Sequence, residues 1–410
     1  MSRATRALLQ ASFLAALRRL DLGGAVADAV PRRLVAARGL TVLAVGKAAR
    51  EMAGGALRAT PAEGGRVVLV EPEGVRGPLP RHPAVERLVA AHPDPDRRSV
   101  AAARRVRAIV AGSPVTLALL SGGASALLCE PRSLDLARYV RLVRALLLGG
   151  ATVREVNVVR RHLCRVKGGG LARVAGGPVF TLVASDVIGG GLHDVGSGPT
   201  VPDPTSCSTA RAVLRRFSPG LSLPRMHESL KPCAARARRL RARFVARPED
   251  LARKLAIELR ERGFLVRVLA ASVAGADDLA REYLTRARAL GPGEAVVRAA
   301  EPSLRVAVQS PGRGGRSTHL ATLLGPGLPE GVAFLAGASD GVDGTSGTGG
   351  AVVDRSLARR VPPDALASAL ARFDTGSILR DAGMALRCDP TGQNLADVHV
   401  LASTRRLRNF

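Results

Sequence analysis

Four apolar runs of this chain break off into short turns rich in glycine, hydroxyl or carboxylate groups. Thr41 to Val45 runs into Gly46-Lys47-Ala48-Ala49, Val115 to Leu120 into Ser121-Gly122-Gly123-Ala124-Ser125, and Val179 to Ala184 into Ser185-Asp186 and the glycines at 189–191. Ala333 to Ala336 is followed by Gly337 to Gly344, with Asp340 and Asp343. In an open α/β sheet, ligands collect where strands end and helix N-termini begin. The groups gathered there suit phosphoryl transfer. Amides cradle phosphate oxygens, a lysine neutralises the loosening phosphoryl group, and aspartates hold the magnesium that bridges the phosphates. None of the turns reads G-x-x-x-x-G-K-[ST], so a P-loop is excluded as the binding device. Each turn alone also reads as a tight turn whose hydroxyls cap the next helix. The set of four favours function, because a lysine and several aspartates at strand ends are costly unless used or solvated.

Two further stretches carry cations. Glu155 to Gly170 contains Asn157, Arg160, Arg161, His162, Arg165 and Lys167 and ends in three glycines. It suits an anionic ligand, or equally a helix with a solvated basic face and a glycine C-cap. Gly312-Arg313-Gly314-Gly315-Arg316 sets two guanidiniums on a glycine turn, able to grip carboxylate or phosphate in bidentate fashion.

The elements that must position these groups alternate. Strands are expected at Thr41–Val45, Arg66–Val70, Val115–Leu120 and Val179–Ala184, with a helix from Ser99 to Ala111 behind a Ser99 N-cap, where Val100, Ala103, Val106 and Val110 share a face. Ser218 to Arg243, with three prolines and no period of its own, reads as the exit from a first domain. The alternation restarts with helices at Pro248–Arg262, Ala276–Leu290 and Pro362–Arg372, and strands at Phe264–Ala270, Arg305–Gln309, Val332–Ala336 and Val398–Leu401. The expected fold is α/β in two domains. Residues 1–240 form a Rossmann-like parallel sheet flanked by helices, and residues 241–410 a mixed α/β domain.

Composition narrows the function. The 410 residues include 61 Lys and Arg against 34 Asp and Glu, a net charge of +27, but only Lys47, Lys167, Lys231 and Lys254 are lysines, leaving 57 arginines. These are spread along the chain rather than gathered in a nucleic-acid footprint, and with no Trp, two Tyr and eight Phe there are few platforms for stacking bases. No nucleic-acid partner is expected. Where arginine is the default cation, Lys47 in a glycine turn points to a need for a compact ammonium. The five cysteines are odd in number and form no C-x-x-C, which argues against a disulfide framework or a zinc site and fits a reducing cytoplasm. Ala108 to Cys129 carries no charge over a length that could span a bilayer, yet its Gly, Ser and Pro read better as helix end, buried strand and turn. Leu8, Leu9, Phe13, Leu14 and Leu17 make an amphipathic helix rather than a targeting segment.

Taken in order, these motifs resemble the class II glycerate 2-kinases, whose second half is a MOFRL domain. The matching pieces are Val45 to Ala49, His92-Pro93-Asp94-Pro95-Asp96, Leu120 to Leu128, Glu155 to Gly169, Ser185-Asp186-Val187, Ser197 to Thr205, Gly314-Gly315-Arg316, Asp340 to Gly344 and Asp389 to Asn394. The resemblance implies two α/β domains across a cleft, the second of MOFRL type. It implies transfer from ATP with Mg2+ to the 2-hydroxyl of D-glycerate, giving 2-phosphoglycerate and ADP. It maps the active-site lysine to Lys47, the strand-end acid to Asp186, the cleft arginine to Arg316 and the second-domain, metal-binding acids to Asp340 and Asp343. Gly46, Ser121, Gly122, Gly123, Ser125, Asn157, Arg160 and Lys167 become candidates for phosphate or substrate. A cytoplasmic enzyme, with no membrane partner and with a homodimer as one possible assembly, is the corresponding expectation.

The chain also departs from the family pattern. Gly189-Gly190-Gly191 stands where further acids usually follow the Ser-Asp, and Gln309-Ser310-Pro311-Gly312 where a Gly-Gly-Glu is usual. Ser317-Thr318-His319 replaces Asn-Gln-Glu, and Thr345 to Thr348 contains no acid. These losses leave two alternatives: action on another short hydroxy acid, with His319 reshaping the pocket, or binding of nucleotide or sugar acid with little turnover.

Overall fold

Six strands of the first half pair in parallel: β1 (Leu40–Val45), β2 (Arg66–Pro72), β3 (Val85–Ala90), β4 (Val115–Leu120), β5 (Val179–Ala184) and β6 (Leu240–Ala246). The computed structural model describes residues 2–404 apart from 61–63, 76, 219, 221, 307–309, 390 and 392–394. The sheet order is β3-β2-β1-β4-β5-β6, the doubly wound arrangement in which the winding reverses between β1 and β4. Val45 lies opposite Leu120, so the turns that follow β1 and β4 leave the sheet side by side at that reversal. β1 and β5 are buried throughout, as a sheet covered on both faces requires.

The second sheet contains β7 (Leu265–Val268), β8 (Glu294–Ala300), β9 (Val332–Ala338), β10 (Gly350–Asp354) and β11 (Asp397–Ser403). Its order is β10-β9-β11-β8-β7, with β7 and β8 parallel and the other pairs antiparallel, which makes it mixed.

The chain divides into two compact units, one of Leu22–Ala246 and one of Met1–Asp21 with Arg247–Phe410. A single boundary near residue 240 therefore becomes two crossings. The helix Ser2–Arg19 belongs with the second unit because its apolar stripe of Leu9, Phe13, Ala16 and Leu17 is buried in one cluster with Leu251, Leu255 and Leu259. At the other crossing, Leu240–Ala246 is the last parallel strand of the first sheet, so the chain leaves that unit six residues later than the expected boundary at residue 240.

Other differences have local causes. The helix Arg97–Ala111 starts two residues before Ser99, because Asp96 is the N-cap: its carboxylate accepts the Arg98 and Ser99 amides while Ser99 Oγ accepts the Asp96 amide. β3 and β6 escape a hydrophobicity reading because Glu86, Arg87, Arg241 and Arg243 interrupt them. The strand expected over Phe264–Ala270 is confined to β7. Of Arg305–Gln309, residues 305 and 306 are not in a strand and 307–309 lie outside the described residues.

Candidate active site

Within Leu22–Ala246, the turns after β1 and β4 are clasped to each other. The Lys47 amide donates to the Gly122 carbonyl (2.9 Å) and the Ser121 amide to the Val45 carbonyl (2.9 Å). Ser121 Oγ accepts the Ala48 amide at 3.1 Å and donates to the Val45 carbonyl at 3.3 Å. Gly46 has φ +126°, and a Cβ there would fall 2.1 Å from Ser121 Oγ, so only glycine lets the two backbones approach this closely. Gly123, at φ +86°, lies under the His92 ring and the Lys47 side chain: a Cβ would sit 3.1 Å from His92 Cδ2 and 3.6 Å from Lys47 Cγ. Lys47 is half-buried at the carboxyl end of β1, and Asp186 is half-buried at the carboxyl end of β5. The buried Ser121 hydroxyl is occupied by the clasp; what this turn offers a ligand is backbone and Gly123 surface.

Ser125, Asn157 and Arg160 are joined by a residue that spacing alone does not single out. Ser197, at φ +58°, bonds Ser125 Oγ at 2.8 Å and donates to Asn157 Oδ1 at 2.8 Å, which Arg160 also approaches at 3.5 Å. Lys167 does a different job from the phosphate contact expected of it. Its ammonium is buried and donates to the Ser125 and Leu128 carbonyls, both at 2.6 Å, holding the Ser121–Ser125 turn from behind. The adjacent Arg161 is equally buried. It pairs with Asp194 (2.6 Å) and Asp203 (3.2 Å), pinning the segment that carries Ser197. An arginine flanked by further cations carries no mark in the sequence that sets it apart; the two distant aspartates make it an anchor.

In the second unit, Arg316 opens the helix Arg316–Leu324 and is engaged by two acids, Glu301 (2.6 Å) and Asp397 (3.6 Å). Burial works against its charge, but Asp397, Glu301 and Asp343 hold the guanidinium pKa above its ordinary value. Burial pushes the Asp397 carboxyl up to about 7 against the pull of Arg316, with Asp343, Glu301 and Asp340 adding repulsion. The acids that engage this arginine are thus distant from it in sequence. Glu301 was not singled out because it follows the end of β8. Asp397 carries a signal that could have found it, an acid at the mouth of the apolar run Val398–Leu401.

Asp343 caps the Arg316 helix. Its two oxygens accept the Ser317 and Thr318 amides at 3.0 and 2.8 Å, and burial pushes its carboxyl pKa up despite those bonds. Asp340 is half-buried in the turn after β9, where one oxygen accepts the Val342 amide at 3.0 Å. His319 is stacked on Phe373, ring centroids 5.3 Å apart, inside the packing of the helix. Of the Asp389–Asn394 motif, residues 390 and 392–394 lie outside the described residues, while Thr391 Oγ1 donates to the Ser339 carbonyl at 2.6 Å.

Among the described residues, the His, Cys and acid groups close enough to share a metal are His162, Cys207 and Glu228, within 4.8 Å of one another. Hydrogen bonds and an ion pair already occupy them: His162 Nδ1 with the His227 carbonyl (3.0 Å) and Glu228 with Lys231 (2.6 Å). The acids around Arg316 do not converge in this way. They fit magnesium only in its usual mode, one or two carboxylates with the remaining positions filled by phosphate and water.

Residues 8–230 match the family described as a domain of unknown function, DUF4147, and residues 294–397 match the MOFRL family. A D-glycerate 2-kinase of Thermotoga maritima is 30% identical, over 88% of this chain and 89% of its own length. The chain belongs to the class II glycerate 2-kinase family. A crystal structure of glycerate kinase from Thermotoga maritima superposes with a TM-score of 0.80 at 27% identity, over 98% of this chain and all of that one. Another family relative, named a hydroxypyruvate reductase in Agrobacterium vitis, is 32% identical over 97% of this chain and 94% of its own. The α/β fold, with a parallel six-stranded sheet and a MOFRL half containing a mixed sheet, is the fold of the glycerate kinase structures. Among the described residues no helix is long and apolar enough to cross a membrane.

Proposed function

We propose that this protein is a kinase that uses ATP and Mg2+ to phosphorylate the 2-hydroxyl of D-glycerate, producing 2-phosphoglycerate and ADP. The observation that carries the reading is the clasp at the sheet reversal, which sets the Lys47 side chain against the half-buried Gly123. A small acceptor with a carboxylate and a transferring phosphoryl group both call for a compact ammonium and closely approachable backbone at one place. Lys47 meets the transferring phosphoryl group, and Asp186, at the end of β5 on the other side of β4, orients the acceptor hydroxyl and takes its proton. Ser125, Asn157 and Arg160, tied together through Ser197, fix the loop that faces the substrate. Arg316 binds phosphate oxygens, and Glu301 and Asp397 hold its guanidinium in place. Asp340 would hold the magnesium that accompanies the nucleotide, which would supply charge neutralisation at the phosphates, and Asp343 serves by capping the helix that bears Arg316.

The test is incubation with D-glycerate, ATP and Mg2+, with products resolved by phosphorus NMR. 2-Phosphoglycerate and ADP are expected, and Lys47→Ala and Arg316→Ala should each remove them. 3-Phosphoglycerate in their place would refute the 2-position, and absence of any phosphorylated hydroxy acid would refute the kinase. The name of the Agrobacterium relative raises a reductase as the competing activity. The turn after β1 reads Gly46-Lys47-Ala48-Ala49 and lacks the G-x-G-x-x-G that accommodates a dinucleotide pyrophosphate. Oxidation of NADH or NADPH by hydroxypyruvate, measured with the same preparation, decides between the two.

A further inference from the structure

A second cationic pocket lies in the unit Leu22–Ala246. It has a volume of about 100 Å3; Arg107, Arg132, Arg165, Arg173 and His227 line it together with one acid, Glu228, and the buried Arg161 and Lys167 form part of its wall. Its walls come from the Pro131–Cys164 bridge, the helix Gly170–Val174 that leads to the amino end of β5, and the segment around His227. Lys167 joins its wall to the back of the Ser121–Ser125 turn, and neither Lys47 nor Asp186 is among its lining residues.

The charges in this pocket are poorly balanced. Apart from the two aspartates that hold Arg161, Glu130 is the carboxylate paired with its lining guanidiniums, and its contacts are long: 3.3 Å to Arg107 and 3.7 Å to Arg165, with Oε2 buried and without a hydrogen bond. Glu228 is taken by Lys231 at 2.6 Å. Arg173 reaches across to the Glu228 carbonyl at 3.1 Å, and the Arg132 side chain makes no hydrogen bond or ion pair among the described residues. Arg161 Nε is a buried donor left unpaired while its terminal nitrogens hold Asp194 and Asp203. Burial, then repulsion from Arg165, Arg173, Arg225 and Arg107, lowers the Arg132 pKa, and burial with Arg132, Arg225 and Arg165 lowers that of His227. A concave surface lined with one sign of charge concentrates counter-ions. Planar guanidiniums with open donors match the oxygens of a phosphate group.

We propose that this pocket is an anion site for a compact phosphate-bearing ligand, one that binds without Lys47. Its volume is far below the roughly 300 Å3 at which pockets for drug-sized ligands begin, so it admits a phosphate or diphosphate group and not a nucleoside. Two sources share this chemistry, free inorganic phosphate or pyrophosphate and the phosphomonoester of a short acid.

Calorimetric titration of the full chain with pyrophosphate, inorganic phosphate and 2-phosphoglycerate, at ionic strength matched with chloride, tests the proposal. Each titration is repeated in Lys47→Ala and in the double variant Arg132→Gln/Arg173→Gln. The expected result is saturable binding of at least one phosphate species that persists in Lys47→Ala and weakens about tenfold or more in the double variant, the loss expected when charge-assisted hydrogen bonds are removed. The preferred species identifies the source. Without anion, the double variant should melt at the same temperature as the parent or higher, because it relieves like-charge repulsion. If it loses secondary structure, Arg132→Lys, which keeps the charge and removes the planar fork, takes its place with the same expected weakening. Unchanged binding in the arginine variants, binding lost in Lys47→Ala alone, or heat that disappears at matched chloride would overturn the proposal. So would arginine-dependent retention of duplex DNA with no small-anion binding.

Discussion

Gly46→Ala is the most direct perturbation of the geometry that presents Lys47. The new Cβ would lie 2.1 Å from Ser121 Oγ and 2.7 Å from the Ser121 carbonyl oxygen, at a backbone φ of +126°. An L residue in such a sparsely populated region costs about 1–3 kcal/mol, and forcing a methyl into packed backbone costs about 1–3 kcal/mol more. The sum, about 2–6 kcal/mol, is a large share of the about 5–15 kcal/mol that keeps a domain folded. With no Trp and only two Tyr in the chain, a Tyr283→Phe background leaves Tyr139, buried in the same unit as Gly46, as the reporter of urea unfolding. At a urea dependence of about 1–3 kcal/mol per molar, the midpoint should fall by about 0.7 M or more. The helix Ala49–Ala59 supplies paired controls. Nothing lies within 4 Å of a Cβ at Gly54, so Gly54→Ala should stabilise by about 0.8–1 kcal/mol. One residue on, a Cβ at Gly55 would meet the Gly23 carbonyl oxygen at 2.1 Å, and Gly55→Ala should destabilise. A Gly46→Ala protein with an unshifted midpoint and unchanged kinase activity would refute the claim that the clasp positions Lys47.

Three other outcomes follow from the same contacts. Lys167→Met should lower the urea midpoint by an amount equivalent to about 2–6 kcal/mol, since two buried carbonyls lose their donor at about 1–3 kcal/mol each; a drop in phosphate affinity without loss of stability would contradict its structural role. Asp343→Ala should destabilise the second unit by about 1–2 kcal/mol through loss of the helix cap, read from Tyr283 in a Tyr139→Phe background. Burial, with Arg298 and Arg316 nearby, pushes the His399 imidazole down to about 3, so between there and its ordinary 6.5 the unfolded chain binds a proton that the folded chain does not. This contribution to stability is complete above pH 6.5 and is lost as pH falls toward 3. Urea midpoints at pH 4 and pH 7 should converge in His399→Gln relative to the parent, and an identical pH dependence would count against it.

Much of the first sheet is legible in sequence because its central strands are continuous apolar runs ending in glycine. β1, β4 and β5 need cover on both faces, and that demand leaves continuous apolar runs along each of them. The same local logic locates Lys47, Asp186 and Asp340, each just beyond an apolar run. β3 and β6 are obscured by charged residues that a strand tolerates where its side chains reach solvent or partners. The helix Ser2–Arg19 declares its apolar face at once, but nothing local says which core receives it.

Residue type and spacing along the chain determined which turns could carry chemistry, because strand burial and glycine conformation act over a few residues. The tasks of Lys167, Asp343, Arg161, Glu301 and Asp397 were decided only by tertiary structure. Whether a buried charge serves as anchor, cap or contact depends on which distant group satisfies it. Lys167 and Ser125 are 42 positions apart and Arg316 and Asp397 are 81, so their pairings exist only once the backbone has brought them together.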